Sequence, residues 1–398
     1  MQLSQRSSDI PYSPIRKLLP FEVEAVKRGI KIYKLNIGQP DIATPAPFFT
    51  SLGNDLPEVL GYGPSQGLPE FRKAVSDYYK RLNIPFEPDE IIATVGGSEA
   101  LFFAFLAVAN PGDEIIVFEP FYTNYIGFAV YSGVTLVPYT LKAENGFHLP
   151  AREEITRLIT PKTKAILSCS PNNPTGTVFT QAEIEMLADI ALEHGLFIIS
   201  DEVYREFSYT GQTPPGIMSV SRIWDQAIVV DSISKRFSAC GARIGNFATK
   251  NRCLYDSVLR FGQARLCPAT AEQLAAVSLY SMSDDYFESV REEYRRRRDA
   301  VMKGLGEIDG IVCHSPDGAF YIMAALPIDD GDRFAKWLLT DFSHEGETVM
   351  VAPGAGFYAT AGMGKNEIRL AYVLEAEKCT RAMEILKVAV EKYIKEVM

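Results

Sequence analysis

The sequence has few of the residues that build metal sites and disulfide frameworks. Its 398 residues include six cysteines and four histidines, and no two cysteines are spaced as CxxC. Neither residue type is spaced as the ligands of a zinc site are. We therefore expect no metal and interpret the cysteines as reduced, buried thiols.

Long apolar runs are also missing. The longest run includes Leu101 to Ala109 and is about half of what a membrane-spanning helix requires. The first residues, MQLSQRSSDIPYSP, are polar and contain no apolar stretch after Arg6, so they do not predict a signal peptide. We expect a cytoplasmic protein that does not contact a membrane.

The chain has fewer basic than acidic residues. It contains 40 Lys and Arg and 50 Asp and Glu, which gives a net charge of -10. This balance argues against a nucleic-acid binder, which usually carries a basic face. Hydrophobic residues make up 47% and charged residues 23% of the chain, as in ordinary globular proteins. The length indicates roughly two to three domains.

Short β-rich runs alternate with helix-length segments such as Ser98 to Ala109 and Thr180 to Glu193. This alternation predicts an α/β fold with a mostly parallel sheet covered by helices on both faces. In such sheets ligands gather at the carboxyl ends of the strands. The predicted strands are Ile91 to Thr94, Glu114 to Phe118, Thr135 to Pro138, Ala165 to Cys169, Phe197 to Ser200 and Ile228 to Ser232.

The last third of the chain changes character and suggests a second, smaller domain. A long charged helix is predicted from Asp284 to Leu305, followed by strands at Ala319 to Ala324 and Ile368 to Tyr372 and by a terminal helix. The basic run Arg295 to Arg298 lies on the long helix beside two glutamates. We interpret it as a solvated charged face rather than an anion site.

Five segments begin at predicted strand ends and bear polar residues. The first contains Lys235 within DSISKRFSACGARIG; the others are VGGSEA, SPNNPTG, SDEVY and EPFYTNY. Each has an ordinary structural explanation, such as a solvent-facing lysine, a glycine turn with a serine cap, a proline turn, a capping acid or a core aromatic. All five segments together, in this order, indicate one common functional site rather than five unrelated structural features.

Each segment supplies something that a lysine Schiff base with pyridoxal phosphate requires. Glycines and Ser98 at a helix start can receive a phosphate. Asn173 offers an amide donor to the phenolate oxygen. Asp201 can hold the pyridine nitrogen protonated by direct charge pairing, and an aromatic of EPFYTNY could stack on the ring.

The chain resembles the fold-type I, pyridoxal-phosphate-dependent aminotransferases of class I and II. The resemblance runs from LNIGQPD at Leu35 to IRL at Ile368. It includes YGPSQGLPEFR, GGSEA, EPFYTNY, SPNNPTG, DEVY, and SxSK with GxRIG after it. It implies the PLP-dependent transferase fold type I, with a large α/β domain whose mostly parallel sheet is flanked by helices, and a smaller α/β domain.

The resemblance also implies residue roles. Lys235 would bind the cofactor covalently and carry the proton in the reaction, Asp201 would pair with the pyridine nitrogen, and Asn173 and Tyr204 would bond the 3-oxygen. Tyr122 would stack on the ring. The phosphate would be held by Gly97, Ser98, Ser232 and Arg243, with Tyr62 reaching the phosphate of the neighbouring subunit.

For the substrate, the resemblance implies that Arg369 grips the α-carboxylate, to which a planar bidentate guanidinium is suited, with the Gly38 backbone close to it and Asn173 nearby. The expected assembly is a homodimer with shared active sites. The expected division is an N-terminal segment 1–44 that joins the small domain, a large cofactor domain 45–283 and a small domain 284–398.

The expected reaction is a ping-pong transfer of an amino group between an L-amino acid and a 2-oxo acid. SISKRFSACGARIG resembles an aspartate-specific bacterial branch, so aspartate with 2-oxoglutarate is the predicted pair. A second substrate carboxylate needs a second cation. Arg265 from the partner subunit is the candidate, and a phosphate-side or structural role for it is equally open.

Other functions remain open at this stage. The donor could be an aromatic or neutral amino acid, and a PLP-dependent C–S lyase would share the cofactor residues. Ala242 and the segment from Ala352 to Tyr358 depart from the usual family pattern, which bears on substrate choice. A cofactor-sensing transcription regulator would need a DNA-binding extension, for which the residues before Leu35 are too few, and the acidic balance opposes it.

Overall fold

The computed structural model describes residues 3–54 and 56–398. Short 3-10 turns, such as Arg16–Leu18, join some of the regular elements. The α-helices are α1 Gln5–Asp9, α2 Leu19–Lys27, α3 Ala46–Asn54, α4 Pro69–Arg81, α5 Gly96–Val108, α6 Asn124–Ser132, α7 Arg152–Thr156, α8 Gln181–His194, α9 Ile233–Arg236, α10 Arg252–Arg265, α11 Thr270–Leu279, α12 Asp284–Leu305, α13 Gly331–Thr340 and α14 Ala376–Glu396.

The strands form three sheets. They are β1 Lys31–Lys34, β2 Ile91–Thr94, β3 Glu114–Glu119, β4 Thr135–Thr140, β5 Thr163–Cys169, β6 Phe197–Asp201, β7 Ala227–Ser232, β8 Gly245–Ala248, β9 Val312–Cys313, β10 Tyr321–Ala325, β11 Glu347–Met350, β12 Ala352–Pro353 and β13 Glu367–Ala371.

The largest sheet has seven strands in the order β2-β8-β7-β6-β5-β3-β4. The adjacent strands β7, β6, β5, β3 and β4 pair in parallel. Strand β8 lies between β2 and β7 and is antiparallel to both. The prediction of a mostly parallel sheet is confirmed. The six predicted strands are present, most of them one or two residues longer, and β8 was not predicted.

This sheet is buried on both faces. Every residue of β7 is buried, which explains why its first four residues, Ala227 to Val230, are all apolar rather than alternating with polar ones. Helices α5, α6 and α10 cover one face, and α4, α8 and α11 cover the other. The carboxyl ends of β5, β6 and β7 therefore open along one edge of the sheet.

Local sequence signals place the helix starts. Before α8, the Thr180 hydroxyl accepts a hydrogen bond from the Glu183 amide, and the Glu183 carboxylate accepts one from the Thr180 amide at 2.7 Å. This reciprocal pairing satisfies two amides that a helix start leaves open. Helix α5 begins at Gly96, two residues before the predicted start at Ser98.

The remaining strands form two smaller sheets. One has the order β12-β13-β10-β9, with antiparallel pairing, and β1 pairs in parallel with β11. Residues near the start of the chain thus join residues near its end, next to α13 and α14. The domain boundaries at 44/45 and 283/284 stay a prediction.

The basic run on α12 is only partly a solvated face. Its exposed arginines pair with acids of the same helix, as expected. Arg297, however, is buried and forms an ion pair with Asp41 at 2.6 Å. Arg297 also pairs with Glu293 of the same helix at 2.7 Å. The prediction of a solvated side chain was wrong for this residue, because its second partner, Asp41, lies 256 positions away in sequence and no pattern within the helix reveals it.

Candidate active site

Residues from the strand ends surround a cleft of about 410 Å³. The chain meets there because β5, β6 and β7 run in parallel and end at the same edge. Most of the sequence-predicted site residues line this cleft, namely Gly38, Gly97, Ser98, Tyr122, Asn173, Asp201, Tyr204, Ser232, Lys235, Arg243 and Arg369.

Lys235 lies on the single-turn helix α9, immediately after β7. The Ser232 hydroxyl caps this turn by accepting from the Ser234 amide at 3.1 Å. Lys235 Nζ donates to the Gly38 carbonyl at 2.8 Å. Burial lowers the pKa of the Lys235 amine, and the nearby positive charge of Arg369 lowers it further. A larger share of neutral amine is what a nucleophile or proton carrier needs.

Asp201 is the last residue of β6 and is only 3% exposed. Its carboxylate accepts a hydrogen bond from the Tyr125 hydroxyl at 2.7 Å. Burial raises the pKa of Asp201 to about 6, and the Tyr125 hydrogen bond opposes that rise. No ion pair to a lysine or arginine is recorded for Asp201 in the described part of the chain. A buried carboxylate without a cation fits a positively charged ring nitrogen brought by a ligand.

Aromatic side chains complete the wall of the cleft. The hydroxyls of Tyr204 and Tyr321 are hydrogen-bonded at 2.9 Å. Tyr122 meets Tyr125 edge to face, with ring centroids 5.6 Å apart, and its hydroxyl accepts from the Asn124 amide at 2.8 Å. Tyr122 therefore presents a ring at the cleft, while Tyr125 is committed to Asp201.

Arg369 projects from β13 and is buried. Nη1 donates to the Asn173 side-chain oxygen at 3.2 Å, and Nη2 donates to the Asn36 carbonyl. Nε has no partner, although a guanidinium carries five N–H donors. Its Cζ atom lies 4.6 Å from the Tyr321 ring centroid. This arginine therefore has unused donors in the cleft and suits a carboxylate.

Position 38 has space only for glycine. A Cβ at this position would lie 1.8 Å from the Tyr321 hydroxyl, which is far inside contact distance. The backbone of Gly38 can therefore reach both Lys235 and the space beside Arg369. This observation gives a steric reason for glycine within the LNIGQPD segment.

The opposite end of the cleft is built for an anion. Gly96 opens α5 with φ +70°, and a Cβ there would lie 2.4 Å from the Arg243 guanidinium. The first-turn amides of α5, which include those of Gly97 and Ser98, join Arg243 and Ser232 at this end. Amides at a helix start combined with an arginine can hold a phosphate or a similar anion.

Two predicted site residues lie outside the cleft of their own chain. Tyr62 is 85% exposed. Arg265 forms an ion pair with Glu99 at 3.1 Å and donates to the Ala93 carbonyl at 3.1 Å. Arg265 is therefore not an unpaired cation, which weakens the expectation that it receives a substrate carboxylate.

Several cleft residues were missed by sequence reasoning. Tyr125 was read only as part of an aromatic segment, and Tyr321 and Cys240 were not singled out. Arg16, in the Arg16–Leu18 turn, also lines the cleft. No motif marks it, because it stands in a polar stretch far from the strand ends. The sulfur of Cys240 is 3.9 Å from Lys235 Nζ.

A larger cleft of about 550 Å³ lies between α4 and α12. Several of its charged groups are paired with one another: Arg291 bonds Glu206 at 3.4 Å and Glu288 at 2.7 Å, and Arg295 bonds Glu292 at 2.7 Å. Within residues 3–54 and 56–398, no cluster of His, Cys, Asp or Glu could hold a metal ion, and no helix is long and apolar enough to cross a membrane. The chemistry-bearing groups thus converge on the smaller cleft.

Comparison with known proteins gives a consistent family. The family model described as "Aminotransferase class I and II" matches residues 30–386. Aspartate/prephenate aminotransferase of Thermus thermophilus is 34% identical over 370 residues, covering 91% of this chain and 92% of that protein. Aromatic-amino-acid aminotransferase 2 of Thermococcus litoralis is 32% identical, covering 100% and 99%. A mutant Thermus thermophilus aspartate aminotransferase structure superposes with a TM-score of 0.89 at 31% identity, covering 98% and 100% of the two chains.

Proposed function

The chain belongs to the class I and II aminotransferases, and on this basis we propose that it binds pyridoxal 5′-phosphate in the cleft around Lys235. It is an enzyme that transfers amino groups between amino acids and 2-oxo acids. The proposed substrates are aspartate and 2-oxoglutarate, used alternately in a ping-pong cycle.

One observation carries the proposal: a lysine of lowered pKa, a buried unpaired carboxylate and a buried arginine with free donors face the same cleft. These three groups suit an aldehyde, a pyridine nitrogen and a substrate carboxylate respectively. The anion site at the start of α5 suits the phosphate. When bound, pyridoxal phosphate supplies an electron sink that stabilises negative charge at the substrate α-carbon.

Three side chains have separate roles in the proposed reaction. Lys235 Nζ takes up and returns the proton in both halves of the cycle, for which a lowered pKa is an advantage. Asp201 remains ionised beside a cationic ring nitrogen and holds its proton there. Arg369 orients the amino acid through its α-carboxylate, with Asn173 fixing the guanidinium at 3.2 Å.

Aspartate as the donor is consistent with one of the relatives. One acts on aspartate and prephenate, whereas another of similar identity acts on aromatic amino acids. The family therefore does not determine the donor. The excess of cations in the cleft favours a dicarboxylic substrate over a neutral one.

The test of the cofactor assignment is Lys235→Ala. The variant should retain its fold by circular dichroism but lose the visible absorbance of the lysine-linked cofactor and all measurable turnover. Lys250→Ala, which removes a lysine paired with Glu90 at 3.0 Å, is the matched control and should be active. Near-normal turnover of the Lys235 variant would contradict the assignment.

The substrate is tested with the wild-type enzyme. Aspartate, glutamate, alanine and phenylalanine are compared as donors, each with 2-oxoglutarate and with oxaloacetate as acceptor. Aspartate should have the highest kcat/KM, and a pyridoxamine form should accumulate in proportion to the donor. A preference for aromatic donors would reject the aspartate proposal, and release of a thiol or ammonia would indicate a lyase instead.

We also propose a homodimer in which Tyr62 reaches the phosphate of the partner subunit. Tyr62, Val59 and Leu60 are strongly exposed in the single chain, which is unusual for neighbouring apolar residues. Mixing Tyr62→Ala with Lys235→Ala subunits should restore activity, because hybrid dimers hold one intact site. Absence of recovery, with subunit exchange demonstrated, would assign Tyr62 to its own chain.

A further inference from the structure

The charges that line the cleft do not balance. Its basic side chains are Arg16, Lys235, Arg243 and Arg369, whereas Asp201 is its one acidic side chain. Arg369 is buried and Lys235 is half-buried, so leaving their charges unpaired is costly, whereas Arg16 and Arg243 are exposed. The excess of positive charge in the cleft therefore attracts ligands that bring several negative charges.

Three of the four cations have a ligand group under the proposed function. Arg243 stands at the phosphate end, Arg369 fits an α-carboxylate, and Lys235 fits the aldehyde of the cofactor. Arg16 has none. An amino acid with a neutral side chain would leave this guanidinium without a counterion, whereas a dicarboxylic amino acid offers one further carboxylate.

The geometry of the Arg16–Leu18 turn sets Arg16 apart from its neighbour. Lys17 pairs with Asp332 at 2.6 Å and is absent from the cleft lining. For Arg16, only backbone groups are bonded: its amide donates to the Ser13 hydroxyl at 3.3 Å, and its carbonyl accepts from the Leu19 amide. No ion pair of its guanidinium is recorded in residues 3–54 and 56–398, so the five donors of a planar fork remain available.

Arg16 is electrostatically close to the ring that faces the ligand. Burial raises the pKa of the Tyr122 phenol, and the positive charges of Arg243, Arg369 and Arg16 oppose that rise. The three arginines therefore act on one point of the cleft. The rival cation, Arg265, is already paired with Glu99.

We propose that Arg16 binds the side-chain carboxylate of a dicarboxylic substrate and so determines donor specificity. This inference rests on the proposed aminotransferase function and adds a residue to it. Arg16 acts in binding alone, since Lys235 carries the proton transfers and Asp201 keeps the ring nitrogen protonated.

The variants are Arg16→Gln, Arg16→Lys and the control Lys17→Gln, which removes one positive charge from the same turn outside the cleft. A hydrogen-bonded contact to a charged group corresponds to about a 10- to 100-fold change in kcat/KM. Arg16→Gln should lose this factor for aspartate and glutamate through KM, with kcat within about twofold, and less than about threefold for alanine. Arg16→Lys should recover part of the loss.

A binding measurement separates the carboxylate contact from turnover. Succinate and butyrate have the same carbon count and differ in one carboxylate, and their inhibition constants are measured on the holoenzyme. Wild type and Lys17→Gln should bind succinate at least about 10-fold more tightly than butyrate. In Arg16→Gln that preference should disappear.

The outcomes distinguish the two levels of the proposal. A wild type that prefers aspartate, together with an Arg16→Gln variant that behaves like Lys17→Gln, overturns the role of Arg16 alone. A wild type that favours neutral donors and does not distinguish succinate from butyrate overturns the dicarboxylic substrate and Arg16 together. A selective loss in Arg265→Gln with no loss in Arg16→Gln would move the role to Arg265.

Discussion

Replacing Asp201 by asparagine should stabilise the cofactor-free protein while destroying its activity. The carboxylate is buried at the end of β6, and its one side-chain partner is the neutral hydroxyl of Tyr125 at 2.7 Å. Asparagine has nearly the same shape and keeps an acceptor oxygen for Tyr125. The substitution thus removes the buried charge and the long hydrogen bond that the carboxylate accepts from the Val203 amide at 3.5 Å.

The magnitude follows from the pKa. Asp201 has a pKa of about 6 in the folded chain against an ordinary value of 3.8, and each tenfold change in proton affinity corresponds to about 1.4 kcal/mol. The folded state keeps the proton over a pH range in which the unfolded chain has lost it. The free energy of unfolding therefore falls as pH rises from about 4 to about 6, by about 3 kcal/mol in total.

Asp201→Asn should recover up to about 3 kcal/mol at pH 7 and almost nothing near pH 4, where the native carboxyl is protonated. The assay is thermal or urea unfolding of the cofactor-free proteins at both pH values. Asp231→Asn is the contrast, because Asp231 is equally buried but paired with Arg236. Breaking that pair should destabilise by about 3–5 kcal/mol.

The result that would refute this reasoning is a cofactor-free Asp201→Asn protein that is no more stable than wild type at pH 7. A gain that is equally large near pH 4 would also refute it, because the benefit would then not come from removing a charge. With the cofactor bound, the wild type should be the more stable of the two proteins. The asparagine variant should bind pyridoxal phosphate more weakly and turn over at least about 100-fold more slowly, since a buried charge pair has been lost.

Two further predictions concern neighbours of this site. Tyr125→Phe removes a hydrogen bond to a charged group, so the pKa of Asp201 should rise from about 6 by about 1 to 2 more. The pH at which half of the cofactor is lost on acidification, followed by absorbance, should rise by the same amount. An unchanged midpoint would contradict this prediction. Gly38→Ala should lower both activity and the unfolding temperature, because its Cβ would lie 1.8 Å from the Tyr321 hydroxyl. The control Gly53→Ala meets no atom within 4 Å and should cost nothing; equal effects would remove the steric argument.

The sequence allowed the central sheet to be predicted well because its strands are buried on both faces. Strands such as Ile91–Thr94 and Ala227–Ser232 begin with short, β-branched apolar runs that polar residues bound, a length and composition that favour a buried strand over a helix. Strand β8, Gly245–Ala248, has a weaker signal. It contains Gly245 and Asn246, two residue types that are depleted in strands.

The candidate site was predictable wherever a side chain follows a strand directly. Lys235, Asp201 and Asn173 each come within a few residues of a strand end, so the parallel topology alone brings them together. The positions of Tyr321, Arg16 and Asp41, the distant partner of Arg297, were not predictable in this way. They reach their positions through packing of distant segments, and neither periodicity nor a local motif encodes such contacts.

The site keeps several polar groups incompletely satisfied inside the protein. Asp201 has no cation, Arg369 Nε has no acceptor and the Lys235 amine has a lowered pKa. Each of these lowers the stability of the unliganded chain. A cationic ring nitrogen, an α-carboxylate and an aldehyde would satisfy them one by one. Binding of cofactor and substrate should therefore stabilise the fold through the same contacts that position the reacting groups, so that the instability of the free site and its catalytic preorganisation have one physical origin.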